Sequence, residues 1–424
     1  MPGIRPDIPR IDKKQTMRPN YSSSIQVSHV PWTFILTFLI SFTIIFFLMQ
    51  RSMASEGNDR PDRLSEREDI QIGIDGLYNM EFVKADAVFR NTIEVLPESP
   101  IGYFYLSMVS WSRMANGFWT KQNSAEYEKR IGKTIDIAKS RIEVSGGDKH
   151  DYLYLGGALG FKGRLELMKG KWISAFFLAL DAVEALKTCR SMDPSDSDVL
   201  LGLGMFDYYT ARLSGVLKFI SYLLIRKGGK EEGLKELNIA AAKARYCRTE
   251  AKSVLLHIYL FLEEDLQKAL VLANFLSDRY PENLRYQVLK GVTLLRIGER
   301  KGYREVVSYF RDRGKEETAR YKSLPWLKRA LYLESIEDLF SGSYRKARAK
   351  LYSILDESDP ENDPLMIAWP IIKIGMSFDF EGKRDRACDY YRQVADMENG
   401  AGAQFLAKKL LEKRPEKYDP FIGY

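Results

Sequence analysis

The chain has little of the chemistry on which metal centres and disulfide frameworks depend. Its 424 residues hold three cysteines and three histidines. Cys189, Cys247 and Cys388, like His29, His150 and His257, are too scattered for any metal-ligand spacing. An odd, widely spaced cysteine set excludes a small disulfide scaffold and leaves the redox compartment open. All three thiols fall in stretches of helical pattern and read as small buried apolar residues rather than reactive groups. Charge of one sign is scarce as well. Lys and Arg number 64 against 57 Asp and Glu, a net +7, too small an excess over this length to call for nucleic acid. No phosphate loop is present, because Gly228-Gly229-Lys230 lacks a preceding strand and reads as a helix-ending turn. The acidic groups Glu263-Glu264-Asp265 and Glu316-Glu317 fall at helix ends or turns, where solvation or the helix dipole accounts for them. With no nucleophile elbow and no HExxH, the sequence predicts a chain that is not an enzyme, with no cofactor and no metal.

What is present begins with apolar bulk. Apolar residues make up 45% and aromatic residues 12%, enough for a core in two or three ordinary domains of ~150 residues or in one array of repeats. The longest apolar run is Trp32 to Met49, 18 residues with no charge. As a helix it reaches about 27 Å, close to the ~30 Å hydrocarbon core of a bilayer. A transmembrane helix is therefore predicted over 31–50, after a polar tail, 1–30. The small residues at Ser52 and Ala54 suit a cleavable signal. However, the long preceding tail and the length of the run favour an uncleaved anchor. Basic residues near the two ends do not decide orientation. The short tail with five bases is more easily left in the cytoplasm than a large folded domain. A single-pass protein of a bacterial inner membrane is expected, with the main domain on the periplasmic side; a cytoplasmic domain is the alternative. Residues 51–69 read as a polar tether.

From 70 to 413 apolar residues recur at three and four, turns carry Gly or Asp-Pro, and no alternating strand pattern stands out, so an all-α domain is predicted. The pattern repeats. Residues 250–283 form a 34-residue unit with Leu256 at position 7, Ala269 at 20, Ala273 at 24 and Pro281 at 32. Residues 66–99 place Gly73 at 8, Ala85 at 20, Phe89 at 24 and Pro97 at 32. Residues 328–361 carry Ala347 at 20 and Leu351 at 24, and residues 368–401 carry Gly375 at 8, Ala387 at 20 and Tyr391 at 24. A weaker unit surrounds Gly163 and Ala175. Another runs from Asn283 through Gly298 to Phe310 with about three extra residues expected in its turn. In 202–242 an apolar helix, with the run 216–225, interrupts a unit whose second half holds Gly233, Leu237 and Ala240. That run is too short to span a bilayer and is expected to pack on neighbouring repeats, with a membrane-surface role as the rival. The stretch 402–415 suits an amphipathic end cap, followed by a short tail, 414–424.

These positions resemble the tetratricopeptide repeat (TPR), and the interrupted unit looks similar to a divergent subgroup with an inserted helix. The resemblance implies a right-handed α-solenoid of antiparallel helix pairs that binds polypeptide partners on its concave face. It implies that first-helix positions 2, 5, 9, 12 and 13 line that face: Ala251, Val254, Ile258, Phe261 and Leu262; Arg329, Tyr332, Ile336, Leu339 and Phe340; Trp369, Ile372, Met376, Asp379 and Phe380. Of these, Val254, Ile258, Phe261, Arg329, Tyr332, Ile336, Phe340, Trp369, Ile372, Met376 and Phe380 are the expected partner-binding set. Val254 and Ile258 replace the Lys and Asn with which chaperone-docking relatives clamp a terminal carboxylate, so an acidic C-terminal tail is not the expected ligand. Two arrangements of the set stay open: an open groove, or a core closed by tight curvature or by the extra helices. The expected function is a membrane-anchored scaffold for protein partners. The alternative is a carrier holding an apolar small molecule or lipid in an enclosed helical pocket. Neither reading fixes the oligomeric state.

Overall fold

The computed structural model describes residues 68–212, 229–316 and 326–415, all within one compact unit, Arg67–Tyr424. The expected tail, anchor and most of the tether, the apolar run 216–225 and the C-terminal tail beyond 415 lie outside the described residues. Among these there are seventeen α-helices and no strands, and no helix is long and apolar enough to cross a membrane.

The helices come in antiparallel succession. They are α1 (Glu68–Tyr78), α2 (Phe82–Val95), α3 (Pro100–Ala115), α4 (Lys121–Ser145), α5 (Lys149–Met168), α6 (Trp172–Met192), α7 (Val199–Ala211) and α8 (Lys230–Lys243). There follow α9 (Arg248–Phe261), α10 (Leu266–Arg279), α11 (Leu284–Ile297), α12 (Arg300–Lys315), α13 (Trp326–Phe340), α14 (Tyr344–Asp356), α15 (Leu365–Phe380), α16 (Arg384–Ala395) and α17 (Ala403–Glu412). Each packs on its successor. The odd-numbered helices also touch the next odd-numbered one, from α1 through α7 and again from α11 through α17. That double set of contacts is the pattern of stacked helix pairs, in which a pair that cannot bury its apolar face alone buries it on the next.

Local chemistry sets the ends. Thr120 caps α4 by accepting from Asn123 N at 3.0 Å, and Asp148 and Asp151 form a reciprocal capping box at the start of α5. Asp265 caps α10 through Lys268 N and Asn283 caps α11 through Tyr286 N, both at 3.1 Å. The turn between α11 and α12 is only Gly298-Glu299, so the expected lengthening is not in that turn.

Inside each pair, small residues let the helices close. Ala85, Ala269, Ala347 and Ala387, all at position 20, are fully buried. A methyl group at Gly73 would stand 2.6 Å from the Phe89 ring, which is how position 8 accepts the aromatic at 24. In the interrupted unit the approach is backbone to backbone: a Cβ on Gly233 would lie 2.5 Å from Tyr208 N and 2.7 Å from Gly204 O, so only glycine fits there. At the carboxyl end Ala403, Leu406, Ala407 and Leu410 of α17 turn inward, and the Arg384 guanidinium donates to two of the last carbonyls, Leu410 O at 2.7 Å and Leu411 O at 3.0 Å.

The array does not stay open. Asn283 Nδ2 donates to Tyr78 O at 2.7 Å, Tyr280 OH donates to Asp75 at 2.8 Å, and Arg279 pairs with Asp75 at 3.1 Å. The Tyr78 ring lies 5.4 Å from Tyr280 and 6.3 Å from Tyr286. Further on, Asn399 Nδ2 reaches Trp119 O at 2.8 Å and Lys121 meets Glu361 at 3.7 Å. The α10–α11 turn thus closes on the first helix.

Candidate functional site at the inner face

Packing of neighbouring helices decides the fate of the expected lining. Val254, Ile258, Arg329, Tyr332, Ile336, Phe340, Trp369, Ile372 and Met376 are buried, and only Phe261 and Phe380 are half-buried. Of the two arrangements left open by the sequence, these nine adopt the core. The reason is visible in α15, where fourteen of sixteen residues are buried because α14, α16, α13 and α17 pack round it. An exposed groove cannot be built from side chains that neighbouring helices already enclose.

Among the described residues a cavity of about 80 Å³ lies between helices. It is contributed by α1, α3, α5, α7, the α8–α9 connection, α9 and α11. Its walls are Tyr78, Phe104, Tyr105, Trp111, Phe161 and Tyr286, with Met108 and Leu201. The rings are mutually locked: Phe161 stands edge-on to Trp111 at 5.4 Å and to Phe104 at 6.1 Å, and such pairs hold orientation beyond what area burial alone provides. The α8–α9 connection is held by one carboxylate. Asp198 accepts from the backbone N–H of Arg245 at 3.0 Å, Tyr246 at 2.9 Å and Cys247 at 2.7 Å. Cys247 lines the cavity, but burial pushes its thiol well up, with Asp198 adding to the effect, so it is held as the protonated, inert form.

Polar groups cluster where the cavity meets half-buried surface. Glu250 accepts from Tyr78 OH at 3.2 Å and faces Arg164 at 3.5 Å, while the Arg164 guanidinium lies 5.0 Å over the Trp111 ring. Arg285 lines the cavity, donates to Ser253 Oγ at 3.2 Å and approaches the two ring nitrogens of His257 at 3.4 and 3.5 Å. Burial holds the His257 imidazole well below the ordinary histidine range, and the Arg285 and Arg164 charges push in the same direction. Phe261, from the expected set, stands edge-on to His257 at 5.3 Å. Among the described residues no group of His, Cys, Asp and Glu is arranged to hold a metal ion.

Arg164, Glu250, His257, Arg285 and the ring of Tyr78 were outside the residues nominated from sequence. One signal was available: the 34-residue spacing carries position 2 of the unit 250–283, Ala251, onto Arg285 of the next. Nothing in the sequence pairs Tyr78 with Glu250, because that contact exists only through closure of the array.

No protein-family model matches the chain, and no curated protein sequence is significantly similar to it.

Proposed function

We propose that the chain is a membrane-anchored scaffold built on a right-handed stack of TPR type, which binds a polypeptide partner at the inner-face cavity. In this reading residues 31–50 anchor it and the repeat domain stands outside the cytoplasm. The observation that carries the choice of ligand class is the size of the cavity. About 80 Å³ admits one small group of a larger molecule, whereas pockets that enclose a whole small molecule run to roughly 300–1,000 Å³. The polypeptide reading therefore stands ahead of the lipid carrier.

A photoreactive residue at Ala115, which lines the cavity, tests it in the full chain in native membranes, with Val144, which is 85% exposed, as control. A discrete polypeptide adduct at 115 and none at 144 is expected. No adduct at 115, with a small molecule retained by the intact protein in native mass spectrometry, overturns the scaffold in favour of the carrier. Protease access in intact and permeabilised cells checks the orientation.

A further inference from the structure

We infer that the mouth of the inner cavity is an oxyanion site, centred on Arg285, which takes a carboxylate. The argument is one of charge balance in a partly desolvated place. The Arg285 guanidinium lies against His257 at 3.4 and 3.5 Å, and Arg164 pairs with Glu250 on the same helix as His257. Against them stands one carboxylate, Glu250, already shared between Arg164 at 3.5 Å and Tyr78 OH at 3.2 Å. Among the described residues Arg285 has no carboxylate partner; its guanidinium spends its bonds on a serine hydroxyl and on the face of a histidine. His257 cannot offset the excess, since imidazole has no negative form in this range and its neutral state is the one favoured beside two arginines. One positive charge is left over at a half-buried site.

A guanidinium is a planar fork matched to carboxylate and phosphate oxygens, and a charge held away from bulk water is costly unless paired. Arg285 fits an incoming oxyanion, and the aromatic walls behind it fit a small apolar body attached to that oxyanion. Trp111, Phe161 and Tyr286 supply those walls. The size of the cavity and the single residual charge select a monocarboxylate over a polyphosphate. That the carboxylate belongs to a polypeptide rests on the scaffold reading above; the oxyanion site does not.

Three histidines make the test direct. The full chain in lipid nanodiscs, labelled at histidine ring nitrogens and assigned with His257→Gln, is titrated with N-acetylphenylalanine, with its C-terminal amide, and with inorganic phosphate. The acid is expected to shift the His257 resonances saturably and to raise the pKa of His257, because a carboxylate on Arg285 offsets the charge that depresses it. The amide is expected to do neither. Arg285→Gln is expected to weaken the acid about tenfold or more, and Arg285→Lys to weaken it less, since charge is kept but the fork is lost. If Arg285→Gln does not fold, the lysine variant and the acid-amide comparison carry the result. Equal effects of acid and amide, or a response to phosphate with none to the acid, overturn the inference. Saturable binding of the acid with no adduct at position 115 overturns the polypeptide reading alone, and an adduct without acid binding overturns the carboxylate site alone.

Discussion

The side-chain amide of Asn283 donates to the main-chain carbonyl of Tyr78 across a separation of 205 residues, at 2.7 Å. The same side chain caps α11 through its oxygen on Tyr286 N. One residue thus starts a helix and helps to hold the α10–α11 turn against the first helix, beside the inner cavity that Asn283 and Tyr78 both line.

Asn283→Ala removes both bonds. The loss of a cap costs about 0.5–2 kcal/mol and the loss of a neutral hydrogen bond about 0.5–1.5 kcal/mol. Destabilisation of about 1–3 kcal/mol is expected from the denaturant midpoint. Hydrogen exchange should show the loss first in α1, since stacked repeats fail locally. Unchanged protection of α1 would show that the ring and ion-pair contacts of Tyr78 and Asp75 hold the closure without Asn283.

Ala269→Leu introduces three carbons at a fully buried position between α9 and α10 and should cost about 1–3 kcal/mol through overpacking. The control is Val271→Leu on the same helix, where the side chain is 69% exposed; it should move stability by no more than about 0.5 kcal/mol. Equal unfolding midpoints for the two variants would remove Ala269 from the helix-helix contact.

Gly233→Ala sets two effects against each other. Alanine gains about 1 kcal/mol in a helix interior, but its methyl meets Tyr208 N and Gly204 O at distances real Cβ atoms do not adopt. Both atoms are backbone, so relief requires moving α7 from α8. Net destabilisation is expected from thermal or chemical unfolding, and a net gain would mean that the two helices separate freely.

His257 gives a pH dependence of known sign. Its folded pKa lies well below 6.5, whereas the unfolded histidine takes its proton near 6.5. Below about pH 6.5 the unfolded state therefore binds the extra proton, and stability present above that pH is lost as pH falls. Asp207 acts oppositely: burial, and secondarily Glu236, raise its carboxyl to about 6, so its contribution grows as pH drops. The contribution of His257 is isolated by comparing unfolding of the parent chain and His257→Gln at pH 7.5 and 5.5. The variant should lose less stability on acidification; an equal loss would place His257 in contact with water.

Helix content and the position of the small residues were legible in the sequence, because both follow from neighbours in the chain. Apolar spacing of three and four specifies which face of a helix is buried, and the alanines at position 20 follow from how closely a pair must approach whatever the rest does. The helices on either side of 213–228, Val199–Ala211 and Lys230–Lys243, were legible for the same reason: each keeps its own apolar pattern.

The curvature of the stack was not legible. It is the sum of small rotations at many junctions, each set by packing between successive pairs, and only that sum brings the α10–α11 turn onto Tyr78. Val254, Ile258 and Ile372 could be assigned to a first-helix face from sequence, while whether that face met water or its own chain was decided by the packing of the helices around it. Arg285 carries the same lesson. Its place at the inner end of α11 follows from the 34-residue spacing, but the company of Arg164, Glu250 and His257, which makes it the centre of a positively charged mouth, is assembled from three helices that local pattern cannot bring together.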